Sequence, residues 1–333
     1  MNLNGKMKIS AIFLMIFLRL TNCLNFSADH VYCVLLKTST NYRVIKASEP
    51  EQILTQPIFN PLLPTVFISP GSPAHIQGML PFIETSYVKT KRYNVVYFDS
   101  CYYTCEEHNC DYQMPGLFDE VMQWFGKLYG SVISKLIELG LPVESIELVG
   151  HSWGAGVAFL AANNTIKKLP LLVGLDPVKN SLPFHKGIAD YTIVLHSNIG
   201  QYGQQYINYA DSDLIANDGT IQASCTDRNV FNVSNEEVEK IAMCSHRIAL
   251  NYWCSMIANP GLFYGVECNK TGCNYDNIQQ LGPNLRSPGT FYFKTSKSEP
   301  YGLGTDSIKN ITPIDMDLLN DYQQIFQCGT VDF

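Results

Sequence analysis

Ser145-Ile-Glu-Leu-Val-Gly150-His151-Ser152-Trp153-Gly154-Ala155-Gly156 is the stretch from which the fold of this chain is read. At its centre is a Gly-x-Ser-x-Gly pentapeptide. A β-rich run leads into it, and the small, apolar run from Val157 to Ala162 follows as a buried helix. That order is what a nucleophile elbow demands. Turning from strand to helix in so few residues strains the backbone of the residue at the apex. The residues two before and two after must be small, which Gly150 and Gly154 provide. Ser152 then stands at a helix N-terminus, where backbone N–H groups favour a developing negative charge. A bare pentapeptide fits an ordinary glycine-rich turn equally well, and the strand before and helix after tell the two apart.

Working outward, short apolar runs rich in β-branched residues read as buried strands at Val66–Ser69, Asn94–Asp99, Ile146–Gly150, Leu171–Asp176 and Tyr191–His196. Between two of them, Phe118 to Leu139 carries Phe118, Val121, Met122, Phe125, Leu128, Val132, Leu136 and Leu139 at helical spacing. Gly140 and Pro142 then punctuate its end. Strands alternating with helices predict an α/β fold with a mainly parallel central sheet flanked by helices. No internal repeat or low-complexity linker divides the chain, so it reads as one domain.

A serine hydroxyl is a weak nucleophile, and it needs a base that is itself oriented by an acid. On a fold of this kind the chain order is Ser, then Asp or Glu, then His. Asp176 ends the run Leu171–Leu175 and is followed by Pro177, which stops the strand, so its position matches the acid. Asp190, Asp211 and Asp213 are its rivals by residue type, and Asp-Pro is also a common turn dipeptide. Three histidines follow. His185 sits in a polar loop beside Pro183. His196 ends an apolar strand, and His246 lies in Cys244-Ser-His246-Arg247, just before a helix-like run from Ile248 to Ile257. Spacing alone leaves the base open between His246 and His196.

The 333 residues are 46% hydrophobic and 16% charged, enough to bury a large core and too apolar for a disordered chain. A net charge of −7, with no Lys/Arg run, excludes a nucleic-acid partner. Met1 to Cys23 has the form of a secretory signal: Lys6 and Lys8 precede an apolar stretch from Ile9 to Leu18, and Thr21 and Cys23 are small enough for cleavage near Leu24. Of 11 cysteines, ten remain after that segment, an even number consistent with up to five disulfides in an oxidising compartment. Asn25, Asn163, Asn232, Asn269 and Asn310 each begin a glycosylation sequon. The cluster Cys105-Glu-Glu-His108-Asn-Cys110 would suit a metal in a reducing cell. Under secretion it reads as disulfide cysteines, and no metal site is expected.

An ordered set of segments resembles the animal pancreatic-lipase superfamily, especially its insect secreted members. They are Asn60-Pro-Leu-Leu-Pro-Thr65-Val-Phe, Gly150-His-Ser152-Trp-Gly154-Ala, Gly174-Leu-Asp176-Pro177 and Tyr191-Thr-Ile-Val-Leu-His196-Ser-Asn. Asp213, Asn217-Asp-Gly219, Gln222-Ala-Ser-Cys225, Cys244-Ser-His246-Arg247-Ile-Ala249 and Phe291-Tyr-Phe-Lys-Thr295 to Pro300-Tyr301-Gly302 complete it. The resemblance covers roughly residues 55 to 302. It implies the α/β-hydrolase fold, assigns nucleophile, acid and base to Ser152, Asp176 and His246, and so favours His246 over His196. It further implies a disulfide between Cys225 and Cys244 closing a lid loop, and another between Cys268 and Cys273. Only Thr226 to Met243 lie inside that loop, a short lid of the kind associated with phospholipase A1 and galactolipase activity. The loop from Gln201 to Tyr209 is the neighbouring wall.

The implied reaction is hydrolysis of a lipid ester, either a triacylglycerol or a phospholipid, at a membrane, micelle or droplet surface, with no metal or organic cofactor. The domains follow as a signal peptide over 1–23, a lipase domain over 24–302, and an extension over 303–333 of no assigned structure. The family's C-terminal β-sandwich is not recognised, so docking of colipase is not expected. The sequence also departs from the family. Where a His-Gly-aromatic segment is usual it reads Ser69-Pro70-Gly71-Ser72-Pro73, so the oxyanion hole falls to the backbone N–H groups of Ser72 and Trp153. Trp153 replaces the usual leucine, and Gly156 stands where histidine is common. Cys101, Cys105 and Cys110 have no family counterpart. These departures keep open a second reading, a lipase-fold lipid carrier without catalysis.

Overall fold

Strands that are apolar on both sides need cover on both faces, and the chain supplies it. The computed structural model describes residues 26–71, 83–104, 117–179, 181–182, 184–226 and 234–314. Within these, strands β1 (Tyr32–Thr38), β2 (Asn41–Lys46), β3 (Thr65–Ser69), β4 (Asn94–Asp99), β5 (Ile146–His151), β6 (Leu171–Leu175), β7 (Tyr191–His196), β8 (Ser212–Ala216), β9 (Tyr264–Asn269), β10 (Gly272–Gln280) and β11 (Gly289–Phe293) form one sheet. Its order is β10-β9-β11-β8-β7-β6-β5-β3-β4-β1-β2. From β11 through to β4 every neighbouring pair is parallel. Antiparallel hairpins, β9–β10 and β1–β2, close the two ends. The five strands read from the sequence are all present, and the architecture is the α/β-hydrolase fold.

Successive strand side chains point to opposite faces, so each strand contributes to two cores. Phe67, Phe98, Leu148 and Leu172 face helices α1 (Leu117–Glu138) and α2 (Trp153–Asn163), meeting Phe125, Tyr129, Val157 and Ala158. Val66, Ile68, Val149 and Val173 face helix α3 (Asn235–Ala258), meeting Ile248, Trp253 and Met256. A third cluster joins Ile215, Val266 and Tyr292 to Ile308, Ile311 and Ile314, so residues 303–314 continue onto the sheet.

Helix α3 corrects one expectation. The sequence placed His246 ahead of a helix beginning at Ile248, but the helix starts at Asn235 and His246 lies mid-helix. The Ser234 side chain accepts from the Glu237 N–H as N-cap, and Glu236 and Glu237 suit the positive end of the helix dipole. That acidic first turn shows no apolar period, which hid the start. Consequently Asn235–Met243, half of the expected lid loop, is helical, while 227–233 lie outside the described residues.

Disulfides join Cys225 to Cys244 and Cys268 to Cys273. The upper bound of five disulfides is not reached, because Cys33 and Cys254 are thiols, each pushed up to about 12 by burial. Cys33 belongs to the core on the α1 and α2 face, whereas Cys254 rides on α3 across the sheet, so the two cannot pair. The expected signal segment 1–23, Ser72 and Pro73, the Cys105–Cys110 cluster and the tail beyond 314 lie outside the described residues.

Candidate active site

The parallel strands all end on one edge of the sheet, and the chemistry collects there. β5 finishes at His151, Ser152 turns the corner, and α2 begins at Trp153. Ser152 has φ 54° and ψ −127°, a conformation that costs a non-glycine residue on the order of 1–3 kcal/mol. Its surroundings hold it there: the Ser152 N–H donates to the Leu175 carbonyl at 3.0 Å, and the Ser152 carbonyl accepts from Val178 at 3.2 Å. The flanking glycines are forced by close approach. A Cβ on Gly154 would lie 1.9 Å from the Pro70 carbonyl oxygen, and one on Gly150 would lie 2.4 Å from that of Gly154.

Asp176 is the first residue beyond β6, at φ 42°, and is fully buried. His246 reaches in from α3 and is 4% exposed. Their separations are those of one hydrogen-bonded chain. His246 Nδ1 lies 2.6 Å from Asp176 Oδ2, and His246 Nε2 lies 2.7 Å from Ser152 Oγ. A carboxylate only accepts, so Nδ1 carries the proton and Nε2 is left to accept from the serine hydroxyl. The other carboxylate oxygen, Oδ1, accepts from the backbone N–H groups of Ser197 at 2.8 Å and Asn198 at 3.0 Å. With its oxygens so occupied, the buried carboxylate is compensated in its anionic form. In chemical terms this is a serine poised for deprotonation by an oriented imidazole.

The rival residues lie elsewhere. His196 is fully buried and donates through Nε2 to Asp213 Oδ1 at 2.8 Å, a second His–Asp pair one strand over. Asp211 accepts from the N–H and hydroxyl of Thr192. Asp190 forms a solvent-exposed pair with Lys168, and His185 is exposed. Trp153 is not a free wall beside the nucleophile: its ring is buried and packs edge-on against Phe125, 5.6 Å between centroids.

Four contributors had no clear signal in the sequence. Ser197 and Asn198 act through their amides, which any residue type would supply. Gly203 lies against Asp176, where a Cβ would fall 2.7 Å from both carboxylate oxygens. His151 donates from Nε2 towards the His246 carbonyl at 3.3 Å. The wall loop was anticipated in outline, and Tyr202 is the residue that meets the site, its ring 5.6 Å from that of His246.

The Lipase family's sequence profile matches residues 119–280, a span that includes Ser152, Asp176 and His246 in the expected order. Over that span the chain is similar to the Lipase family. Among curated relatives, lipoprotein lipase of Rattus norvegicus is 24% identical, the match covering 53% of this chain and 45% of that one. The lipoprotein lipase of Homo sapiens gives the same three figures. The chain thus spans about half the length of the curated relatives it matches. Among solved structures, a ferulic acid esterase from Streptomyces cinnamoneus overlaps 40% of this chain and 42% of its own at 19% identity. Its TM-score of 0.32 marks an overlap too loose to argue from.

Proposed function

We propose that this chain is a secreted serine hydrolase of the lipase superfamily that releases fatty acids from lipid esters through an acyl-enzyme. The observation that carries the reading is the buried chain Ser152 Oγ–His246–Asp176, set on a strained elbow. Ser152 Oγ attacks the ester carbonyl while His246 Nε2 takes its proton. The tetrahedral oxyanion is held by the N–H groups of Trp153 and Ser72. Collapse expels the alcohol, which leaves with the proton from His246. Water then enters, gives a proton to His246, and releases the fatty acid as Ser152 recovers its hydrogen. No step calls on a cofactor.

The disulfides at Cys225–Cys244 and Cys268–Cys273, with the signal-like segment and the sequons, support secretion. The lipase domain is taken as 24–302. For the substrate, the short segment between Cys225 and Cys244 favours phospholipids, cut as a phospholipase A1, over triacylglycerols.

Fatty-acid release by the purified protein, with Ser152→Ala alongside, tests the reading on emulsified triacylglycerol and on phosphatidylcholine vesicles. Release from vesicles that vanishes in the variant supports it in full, and release from triacylglycerol alone reverses the substrate preference. The Pro70–Pro73 departure favours a second reading, a lipid carrier on the same fold. Folded protein that binds either lipid and hydrolyses neither would establish that one instead.

A further inference from the structure

His151 precedes the serine, yet the mechanism above leaves it idle, and a polar ring buried at a reacting centre needs a reason. It is 6% exposed. Its Nε2 lies 3.3 Å from the backbone carbonyl of His246, and the two imidazole rings are 5.0 Å apart between centroids, tilted by 38°. A mid-helix carbonyl has a second lone pair free for such a donor. The other edge of the ring meets the segment leading to the oxyanion loop: a Cβ on Gly71 would lie 2.9 Å from His151 Nδ1 and 3.0 Å from Ser152 Cβ. His151 thus occupies the space between three parts that come from distant stretches of chain, namely the elbow, the helix carrying the base, and the strand exit at Gly71.

We infer that His151 is a positioning residue, a neutral clamp that fixes the distance from His246 to Ser152 by holding α3 against the elbow. The inference rests on the proposed catalytic roles, and it concerns geometry that exists without turnover. Neutrality is part of it. Burial pushes the His151 imidazole down to about 3, and the positive charge of Arg247 pushes the same way. When His246 becomes an imidazolium during acyl transfer, the His151 ring behind it adds no positive charge of its own. A neutral ring donating from Nε2 must leave Nδ1 unprotonated, which is compatible with the tight apolar approach of Gly71.

The test uses the full-length protein labelled with ¹⁵N-histidine, as wild type, His151→Gln and His151→Leu. In the wild type, His151 should show the Nε2-protonated neutral tautomer throughout pH 5 to 8. The opposite tautomer, or a protonated ring in that range, overturns the proposal whether or not any variant folds. The downfield proton between His246 Nδ1 and Asp176 should persist in His151→Gln, whose amide can still reach the carbonyl, and broaden or vanish in His151→Leu. In ester hydrolysis, kcat should fall about 10- to 100-fold in His151→Leu at unchanged KM, the scale expected when a reacting group shifts by roughly an ångström. Most of it should return in His151→Gln. A His151→Leu protein that keeps both the resonance and kcat sinks the clamp. So does equal loss in the two variants with equal loss of melting temperature, which would make His151 mere packing. The resonance can be read in Ser152→Ala, so an inactive wild type would refute the hydrolase while the resonance still decides the clamp.

Discussion

Asp176 presents one oxygen to His246 at 2.6 Å and the other to the amides of Ser197 and Asn198, so the carboxylate is held from two sides by groups of different kinds. The amide pair fixes where the carboxylate lies, and the oxygen left over fixes how the imidazole is turned.

Asp176→Asn tests the second of these. Asparagine fills the same space and can still accept from the two amides, but its NH₂ cannot accept the Nδ1 proton. The imidazole is then driven to the tautomer with its proton on Nε2, facing the serine. The expected outcome is a loss of about 10⁴ in kcat with near-normal folding, as measured by ester hydrolysis beside a thermal melt. Activity within tenfold of wild type would remove Asp176 from its proposed role.

Gly203→Ala tests the position rather than the chemistry of the same carboxylate. The added methyl would fall 2.7 Å from both oxygens, well inside contact distance, so the carboxylate or the 198–204 loop must give way. We expect kcat to fall about 10- to 100-fold with little change in KM, since Gly203 meets the acid and not the substrate. Unchanged steady-state kinetics would show the loop to be soft enough to absorb a methyl.

The elbow and the acid were legible because each is a local event. A glycine-flanked serine between a strand and a helix, and an aspartate capping the next strand before proline, announce themselves within a dozen residues. The base was not. His196 and His246 each sit beside an aspartate, Asp213 and Asp176 respectively, and only the fold says which pair reaches Ser152. Residue spacing leaned towards His246 but left His196 open, and the family resemblance then favoured His246. Strand β10 was missed because its side chains are largely exposed, and Gly272-Cys-Asn-Tyr-Asp-Asn-Ile-Gln-Gln280 carries no apolar alternation. Gly203 left no trace because a glycine that permits an approach looks like any loop glycine.

Replacing Cys225 and Cys244 together by serine removes a crosslink between residues 19 apart, two positions before the proposed base. Loop-closure entropy of that size is worth about 3 kcal/mol. Denaturant unfolding of the double variant should show a loss of that order. Because α3 keeps its packing against Val149 and Val173 through Trp253 and Met256, the folded variant should retain measurable hydrolysis. A full loss of activity in folded protein would mean that the disulfide itself sets the helix against the elbow.

Glu147, one turn of the pleat from the foot of β5, makes the stability of the fold depend on pH far from the active site. Burial pushes its carboxyl up from 4.5 to about 7, while Arg286, a hydrogen bond from Tyr93 and Arg92 pull it back only in part. Among the described residues its Oε2 is buried with no hydrogen-bond partner. The folded protein therefore holds this proton more tightly than the unfolded chain does. Its stabilising contribution is complete below about 4.5 and is lost as pH rises through 7. Glu147→Gln carries a permanent neutral equivalent of the protonated form. The variant should be more stable than wild type by about 3 kcal/mol at pH 8, and by under about 1 kcal/mol at pH 5. Groups common to both proteins cancel in that difference, so paired denaturant melts at the two pH values measure it directly. A gap that is equal at pH 5 and pH 8 would show that Glu147 is ionised in the folded protein across this range, its charge already satisfied by the two arginines.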